Sequence, residues 1–388
     1  MTTVHPASTA GKDYDPIRVC HVIGAMDRGG AETFIMNTFR AINRKKVIFD
    51  FVVHENRQCD YDQEIQELGG RIFRLPRYTI TNSKPYRKAC QELFQKHPEW
   101  KIVHGHIGSC APIYLDEAKQ HGAYTIAHSH AQNYPLSLQE IAFRAVARPV
   151  RYISDYFIAC SKQAGLDRFG KKIVDGDKFS ILLNGIDTNQ YRYNATARQA
   201  VRESICASPS TTVIGHVGRL TPVKNHPFLF EVFASFHRHN PDSLLILLGK
   251  GEAEFNLRDK VTAMGLENSI CFLGVHQNVN DYLSAMDGFV FPSLREGLPL
   301  SCVEAQTSGL PCLISTGVSP EVVCARNAEM LPLSSGAEIW AMELGKAIEA
   351  AQHKNRNEAR REVESSGFDI HSSAKWLESF YVSHATKQ

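Results

Sequence analysis

The chain has 388 residues, more than the roughly 100 to 200 of an ordinary domain, so its length predicts two domains. Hydrophobic residues make up 43% and charged residues 22% of the chain, which excludes a disordered or a collagen-like protein. The 43 Lys and Arg residues against 41 Asp and Glu residues leave a net charge of +2, so a global electrostatic attraction to nucleic acid is not indicated.

The ten cysteines are scattered, without a Cys-x-x-Cys pair and mostly among apolar neighbours. This pattern favours reduced thiols in a cytoplasmic protein over a disulfide framework or a zinc site. The polar N-terminal segment, residues 1–16, lacks the apolar core of a secretory signal and is expected to form a disordered arm. No segment approaches the ~20 apolar residues of a membrane span, so any membrane contact is expected to be peripheral.

The first half of the chain alternates short apolar runs with polar segments of helical spacing. A strand is predicted at Ile17 to Ile23, followed by a loop at Gly24 to Gly30 and a helix from Ala31. A further helix is predicted at Tyr86 to Gln95. Four more strands are predicted at Phe49 to Val53, Ile102 to His104, Tyr124 to Ala127 and Tyr156 to Cys160. Strands that alternate with helices predict a parallel sheet covered on both faces.

The pattern restarts after a polar, turn-rich stretch at Asn184 to Asn194, the best candidate for a linker. Helices are predicted at Asn225 to His239 and Val261 to Met264. Strands are predicted at Thr212 to Gly218, Leu244 to Leu248, Ile270 to Leu273, Gly288 to Phe291 and Pro311 to Ile314. We therefore expect two α/β doubly wound domains, residues 17–190 and 191–367, and in such sheets ligands bind outside the carboxyl ends of the strands.

The most informative motif, Pro292 to Gly309, directly follows a predicted strand. It places Glu296 in a loop ahead of Gly297-Leu298-Pro299-Leu300, and Glu304 in the helix that follows. The free backbone amides of a helix N-terminus favour an anion such as a diphosphate. The two carboxylates suit neutral hydroxyl groups, those of a sugar for Glu296 and of a ribose for Glu304. The alternative is a pair of surface glutamates beside an ordinary helix start.

A basic pair follows another strand of the second domain. Arg219 and Lys224 lie five positions apart, directly after the predicted strand Thr212 to Gly218. Arg clamps phosphate oxygens through its planar fork and Lys adds a point charge, so together they would neutralise a diphosphate leaving group. The alternative is a solvated basic turn.

A pair of glycines lies in the loop after the first strand. Gly29 and Gly30 are part of the segment Asp27 to Glu32, which is not Gly-x-Gly-x-x-Gly, and the Walker A motif is absent from the chain. Dinucleotide and P-loop sites are therefore excluded by spacing. Paired glycines still allow the backbone to approach a bulky ligand closely, although a tight turn without a ligand is the simpler interpretation of this loop alone.

Four histidines follow two of the predicted strands of the first domain. His104 and His106 follow one strand, and His128 and His130 follow another. Zinc is conceivable, but neither His-x-His pair has an acidic or cysteine partner nearby. The pattern favours a histidine that positions an acceptor or contacts a transferred sugar, and at least one of the four is expected to be structural.

Asp-x-Asp pairs can hold a divalent ion that bridges phosphates. Three such pairs occur, Asp13 with Asp15, Asp60 with Asp62 and Asp175 with Asp177. None follows a convincing buried strand, and Arg219 and Lys224 already provide the positive charge that a metal would bring. We therefore expect neither a metal ion nor another cofactor.

These motifs together resemble the retaining glycosyltransferases of family 4. The resemblance rests on the Gly29-Gly30 loop, His128, the Arg219 and Lys224 pair, and two glutamates with seven residues between them, Glu296 and Glu304, followed by Ser308-Gly309-Leu310-Pro311. Asn184-Gly185-Ile186-Asp187 and Leu248-Gly249-Lys250-Gly251-Glu252 are also similar to family stretches. The resemblance covers roughly residues 17–381, and the segment His128-Ser129-His130 is similar to bacterial exopolysaccharide and capsule enzymes.

The resemblance implies a GT-B fold, two Rossmann-like domains facing an interdomain cleft, with a C-terminal helix in residues 368–388 that returns to the first domain. It also implies a nucleotide-sugar donor, usually UDP-linked, bound mainly by the second domain, and a glycan or lipid-linked acceptor bound by the first. Arg219 and Lys224 would then stabilise the leaving group. Further catalytic and donor-binding roles fall on His128, Glu296, Glu304, Gly29, Gly30, Gly297, Leu298, Pro299 and Leu300.

Two other functions share this architecture. A non-hydrolysing UDP-sugar 2-epimerase would need acid and base carboxylates in the first domain, where no clear pair stands out. A non-catalytic partner subunit would have no chemical reason to keep Arg219, Lys224, Glu296 and Glu304 together.

The segment Leu138 to Tyr152 places Arg144, Arg148 and Arg151 among apolar residues. Such a basic amphipathic stretch can lie on an anionic membrane surface. The alternative is a surface helix with solvated arginines, and a lipid-linked acceptor would favour the membrane. The expected location is the cytoplasm, with a possible peripheral contact at the inner membrane.

Overall fold

The computed structural model describes residues 15–106, 108–130 and 138–385. The predicted N-terminal arm, residues 1–16, lies outside the described residues apart from its last two positions. The described chain divides into two compact units. The first contains the residues up to 130 together with residues 138–181 and 374–385, and the second contains residues 182–373.

The first unit is built on a seven-stranded parallel sheet with the order β3-β2-β1-β4-β5-β6-β7. Its strands are β1 (Ile17–Val22), β2 (Val47–Val53), β3 (Ile72–Arg74), β4 (Ile102–His106), β5 (Tyr124–Ser129), β6 (Tyr156–Ala159) and β7 (Phe179–Ile181). The helices are α1 (Gly30–Ala41), α2 (Asp62–Glu67), α3 (Ser83–Lys96), α4 (Ala111–Gln120), α5 (Leu138–Ala147), α6 (Val150–Ile153), α7 (Lys162–Phe169) and α8 (Lys171–Val174). The strand order reverses between β1 and β4, where ligands bind in sheets of this type.

The second unit repeats this plan with a six-stranded parallel sheet of order β10-β9-β8-β11-β12-β13. Its strands are β8 (Thr212–Val217), β9 (Ser243–Leu248), β10 (Ile270–Gly274), β11 (Gly288–Phe291), β12 (Cys312–Ser315) and β13 (Ala328–Leu331). Its helices are α9 (Ala195–Ser204), α10 (His226–His239), α11 (Glu254–Ala263), α12 (Val279–Ala285), α13 (Leu300–Thr307), α14 (Ala337–Ala351) and α15 (Glu358–Val363). The last helix, α16 (Ile370–Ala385), lies in the first unit from Ala374 onward.

Helices cover both faces of each sheet, and in the second unit an apolar layer lies on each face. In the second unit Phe230 and Phe233 of α10 and Trp340 of α14 are fully buried against one face. Phe289 and Phe291 of β11 are buried on the other. Each such side chain contributes about 1.5 to 3 kcal/mol by leaving water. Continuous burial also explains why the strands read as unbroken apolar runs.

The α/β doubly wound class is confirmed, and each strand predicted from the sequence is present with bounds shifted by two residues at most. Three strands were not predicted, β3, β7 and β13. All three are edge strands of three or four half-buried residues, which carry too little apolar sequence to be recognised. The helix predicted at Val261 to Met264 was too short, because α11 begins at Glu254 and its N-terminal half is polar.

The chain passes from the first unit to the second between Ile181 and Leu182, ahead of the predicted linker. None of the helices in the described ranges is long and apolar enough to cross a membrane.

Candidate functional site

Three loops of the second unit are joined by backbone hydrogen bonds beyond the carboxyl ends of β8, β11 and β12. Leu294 N–H donates to the Val223 carbonyl over 2.8 Å, and Glu296 N–H donates to the Gly317 carbonyl over 3.2 Å. Ser319 N–H returns a bond of 3.2 Å to the Glu296 carbonyl. A Cβ at Gly317 would lie 2.4 Å from the Leu294 carbonyl oxygen, so only glycine permits this approach.

The loop after β9 joins the same group through two glycines. Leu220 N–H donates to the Lys250 carbonyl over 3.1 Å. Gly249 has φ +141°, and a Cβ there would lie 2.0 Å from the Gly218 carbonyl oxygen. A Cβ at Gly251 would lie 2.2 Å from the Leu220 carbonyl oxygen. The Gly-Lys-Gly sequence therefore holds the loop that carries Arg219 in position.

Lys224 and Glu296 form an ion pair within this group of loops. Lys224 Nζ lies 2.9 Å from Glu296 Oε1, and the side chains are 13% and 23% exposed. The ammonium also lies 4.4 Å from the centre of the Phe291 ring. Arg219 is exposed, and its guanidinium has no ion pair or hydrogen bond within the described ranges. Arg219 directly follows Gly218, where a Cβ would lie 3.1 Å from Lys224 Cε, so the backbone that carries Arg219 is adjacent to the Lys224 side chain.

The segment Gly297 to Leu300 leads into the N-terminus of α13. Pro299 precedes the helix with φ −70° and ψ 115°, and no side chain caps the first turn. The first amides of a helix have no internal acceptor, so these point to a ligand or to water. Together with the helix dipole they favour an anion at this position.

Glu304 lies one turn along α13, and its environment differs from that of Glu296. Burial raises the pKa of Glu304 to about 7, and the neighbouring Tyr191 phenol partly offsets that rise. Tyr191 was missed by the sequence analysis, which assigned its segment to the linker. The aromatic ring within that polar stretch was the only available signal.

Two buried histidines lie beneath Lys224 and were also missed. His216 donates from Nδ1 to the Val290 carbonyl over 2.9 Å, and its Nε2 has no partner among the described residues. The centre of its ring lies 4.9 Å from that of His226. Burial lowers the pKa of both imidazoles, to about 4 for His226, with a smaller contribution from the charge of Lys224. Both imidazole rings are therefore neutral. Of His216, His226 and Lys224, Lys224 alone carries a charge.

The glycine loop of the first unit opens α1. Gly29 precedes the helix with no side-chain cap, and a Cβ at Gly30 would meet nothing within 4 Å. At Gly29 a Cβ would lie 2.3 Å from Glu32 Oε2. Gly30 therefore has free space beside it, whereas Gly29 is enclosed by a side chain of its own helix. Burial raises the pKa of Glu32.

The four predicted histidines gather with a fifth, His21, on one face of the first sheet. His21 and His104 are register partners on β1 and β4, and His106 and His128 are partners on β4 and β5. His128 is completely buried under α1, with its ring centroid 5.8 Å from that of Phe34, whereas His130 is half-buried. His21 was missed because it lies inside an apolar strand.

Two sets of three in this cluster have the spacing of metal ligands, His21, His104 and His106, and His106, His128 and His130. Burial lowers the pKa of His21, His104, His106 and His128, so all four are neutral imidazoles with a free lone pair. The Asp-x-Asp pairs are engaged differently. Asp62 bonds Arg74 over 2.8 Å, and Asp60 accepts from the Arg28 amide over 3.1 Å.

The fold and these loops define a glycosyltransferase with the GT-B fold. Residues 28–190 match the family described as Glycosyltransferase Family 4, and residues 198–361 match Glycosyl transferases group 1. The chain is 32% identical over 345 residues to "Putative glycosyltransferase EpsF" of Bacillus subtilis, covering 87% of this chain and 89% of that protein. The chain belongs to glycosyltransferase family 4.

Another relative is similar over nearly the whole chain, and two solved structures share the fold. The Staphylococcus aureus protein "Capsular polysaccharide biosynthesis glycosyltransferase CapH" is 24% identical, covering 95% of this chain and 99% of its own. The crystal structure of Anabaena Alr3699/HepE in complex with UDP superposes with a TM-score of 0.78 at 17% identity, covering 94% of this chain and all of that one. The glycosyltransferase WaaG superposes with a TM-score of 0.68 at 15% identity, covering 93% and 99%.

The raised pKa of Glu304 predicts a pH dependence of stability. Because the folded chain holds the Glu304 proton more tightly than the unfolded chain, its contribution to the free energy of unfolding is fully present below about pH 4.5 and is lost as the pH rises to about 7. Glu304→Gln should remove this component. The measurement is urea unfolding of both proteins across this pH range.

The matched control is Glu231→Gln, which changes a half-exposed glutamate of the same unit and should keep the pH dependence of the unsubstituted protein. Identical pH profiles for the unsubstituted protein and Glu304→Gln would show that Glu304 titrates normally.

Proposed function

We propose that the protein is a retaining glycosyltransferase that moves a sugar from a UDP-sugar to a glycan or lipid-linked acceptor in bacterial surface polysaccharide synthesis. The observation that carries the proposal is the Lys224 and Glu296 ion pair at loops that lead into an uncapped helix, together with the exposed Arg219 guanidinium, which has no partner among the described residues. This arrangement provides cationic and amide donors for a diphosphate and a carboxylate for hydroxyl groups.

The names of related proteins support the donor and acceptor classes. HepE has been crystallised with UDP and with UDP-glucose. An Escherichia coli relative, 35% identical over 231 residues, is named UDP-Gal:alpha-D-GlcNAc-diphosphoundecaprenol alpha-1,3-galactosyltransferase. Both names include a uridine nucleotide, and the second adds sugar transfer to a lipid-linked acceptor.

In the proposed reaction the bond between the sugar C1 and the diphosphate oxygen breaks as the acceptor oxygen attacks C1 from the same face. The departing phosphate takes the acceptor proton, so no side chain has to act as a base. The negative charge that grows on the diphosphate would be stabilised by Arg219, Lys224 and the amides at the start of α13, an effect worth about 100-fold or more per donor.

The two glutamates would act on hydroxyl groups of the donor. Glu296 would release Lys224 and bind the sugar hydroxyls. Donor binding would then free the Lys224 ammonium to contact the diphosphate. Glu304 accepts hydrogen bonds from the ribose, with Tyr191 keeping its carboxyl oriented. The first unit contributes the Gly29-Gly30 loop and His128, which would contact the transferred sugar or the attacking hydroxyl.

The deciding experiment incubates the purified protein with a panel of nucleotide sugars, with and without glycan and diphosphoundecaprenol-sugar acceptors, and determines the products by NMR. The proposal requires transfer with the anomeric configuration of the donor. An inverted product contradicts the retaining mechanism. A 2-epimer formed without acceptor indicates an epimerase, and no turnover of any donor indicates a non-catalytic subunit.

Substitutions of the charged residues should separate their roles. Lys224→Ala and Glu296→Ala should lower kcat about 100-fold, because both contacts strengthen as the transition state forms. Glu304→Ala should mainly raise the donor KM, because a ribose contact is remote from the breaking bond. Steady-state kinetics and melting temperatures of the three variants measure this.

Lys260→Ala is the control, since Lys260 makes an exposed ion pair with Glu231 in the same unit, 3.1 Å long, and should retain full activity. A normal rate for folded Lys224→Ala would remove the diphosphate role from this residue.

Donor turnover should not depend on a metal ion, because Arg219 and Lys224 supply positive charge for the diphosphate. EDTA should leave the rate unchanged. Activity that disappears in EDTA and returns with manganese or magnesium would contradict this proposal.

We also propose a peripheral contact of the first unit with an anionic membrane. Ile141 and Tyr152 are 52% and 78% exposed, and Arg148 is exposed between them. Arg151 is partly structural, because its Nε donates to the Arg168 carbonyl over 2.9 Å. Arg148→Glu should reduce co-sedimentation with vesicles that contain phosphatidylglycerol, and equal sedimentation of both proteins would contradict the contact.

A further inference from the structure

A chain of three buried side chains connects the C-terminal helix to His128. Tyr381 Oη of α16 lies 2.6 Å from Nδ1 of His104 on β4. Nε2 of His104 lies 3.1 Å from Nδ1 of His128 on β5. All three side chains are at most 1% exposed. The chain therefore runs through the protein interior from a phenol to the histidine that the proposed reaction uses.

Only two directions of hydrogen bonding are possible along this chain. Burial lowers the pKa of both imidazoles and raises that of the phenol, so all three groups are uncharged. A neutral imidazole has one N–H and one acceptor nitrogen. If Tyr381 donates, His104 must carry its proton on Nε2, and His128 must carry its own on Nε2 as well. If instead His128 donates from Nδ1 to His104 Nε2, His104 must carry its proton on Nδ1 and donate to Tyr381 Oη.

The phenol selects the first direction. A phenol O–H is a better donor than a neutral imidazole N–H, and an imidazole nitrogen is a better acceptor than a phenol oxygen. His104 Nδ1 is the only hydrogen-bond partner of Tyr381 Oη in the described part of the chain. The structure therefore favours Tyr381 as donor, with the proton of His128 on Nε2.

That proton has no acceptor within the described residues. His128 Nε2 is buried and makes no hydrogen bond there. An unmet buried N–H is unfavourable unless a ligand completes it. A sugar hydroxyl oxygen is an acceptor of the required kind.

A second histidine chain beside the first lacks such a phenol. His21 Nδ1 lies 2.9 Å from His106 Nε2, and His106 Nδ1 lies 2.7 Å from His130 Nε2. At its inner end His21 Nε2 has no partner among the described residues. A phenol donor is therefore what distinguishes the chain that ends at His128.

The distances fit hydrogen bonds better than a metal centre. Two imidazole nitrogens on a tetrahedral zinc ion lie about 3.3 Å apart, with both lone pairs directed at the ion. The consecutive nitrogens in the two chains are 2.7 to 3.1 Å apart, the range of a shared proton.

We propose that Tyr381 is a positioning residue that acts through His104 to hold His128 as the Nε2-protonated tautomer, so that a sugar hydroxyl that reaches this buried nitrogen meets a hydrogen-bond donor and not a base. The identity of the ligand rests on the proposed transferase function. The control of the tautomer does not, because it follows from contacts within the first unit alone.

The test is NMR of the full chain labelled with ¹⁵N-histidine, which reports which ring nitrogen carries the proton. Loss of a signal in His128→Gln assigns His128. The unsubstituted protein should show the Nε2-protonated form, and Tyr381→Phe should populate the Nδ1-protonated form. Should Tyr381→Phe fail to fold, His104→Gln breaks the chain at its next link.

The matched control is Tyr86→Phe, which removes another fully buried phenol bonded to a histidine, His54 Nε2 at 2.7 Å, outside the cluster. It should leave the His128 signals unchanged. An Nδ1 proton on His128 in the unsubstituted protein, or no tautomer change in Tyr381→Phe, overturns the proposal. So does equimolar zinc that survives dialysis and shifts the His128 signals.

Kinetics then test whether the tautomer matters. Tyr381→Phe should lower kcat about tenfold, the effect of one hydrogen bond, with UDP affinity unchanged, while Tyr86→Phe stays near the original rate. An unchanged kcat with an altered tautomer overturns the positioning role. If NMR shows the Nε2-protonated form of His128 but the protein transfers no sugar, the proposed function is contradicted and the control of the tautomer by Tyr381 still holds.

Discussion

Every strand pairing in both sheets is parallel, and this places the carboxyl ends of the strands of each sheet at a common edge. A parallel strand must be followed by a connection that returns along a face of the sheet, so each functional loop starts at that edge. In the second unit the loops after β8, β9, β11 and β12 meet there and bond to one another through their backbones. The side chains that the loops carry are positioned by these bonds.

The charges of the second unit depend on that backbone framework. Lys224 is held between the Phe291 ring and the Glu296 carboxylate, above two imidazoles that burial keeps neutral. A protonated histidine beneath it would repel the ammonium in a region of low dielectric constant. Neutral rings avoid that repulsion, and Lys224 and the nearby Arg219 remain as the positive groups for an anionic ligand.

The first unit buries a cluster of polar rings on one face of its sheet. Five imidazoles and one phenol occupy a face of the sheet that would ordinarily hold apolar side chains, between aromatic residues of β2 and α1. Buried polar groups remain tolerable when they bond to one another, and the two histidine chains achieve this along most of their length. In the described part of the chain, the Nε2 atoms of His21 and His128 have no hydrogen-bond partner.

The sequence alone determined the alternating strands and helices, the two sheets, the loops in which Arg219, Lys224 and Glu296 lie, and the helix that carries Glu304. These features are local, since a run of apolar residues reports its own burial and the residues after it occupy the end of the strand. The short edge strands escaped because half-buried segments leave a weak pattern. Family membership followed from the same local motifs, taken in order along the chain.

The tertiary structure decided which side chains meet. Tyr191 lies more than one hundred residues from Glu304 in sequence, and Tyr381 lies still farther from His104. Lys224 and Glu296 could be placed at neighbouring strand ends from sequence, but their direct pairing depends on the register of β8 and β11 and on the glycines that let the loops approach. Hydrophobic periodicity carries no information about such distances, because it records the face on which a residue lies and not the residue that packs against it.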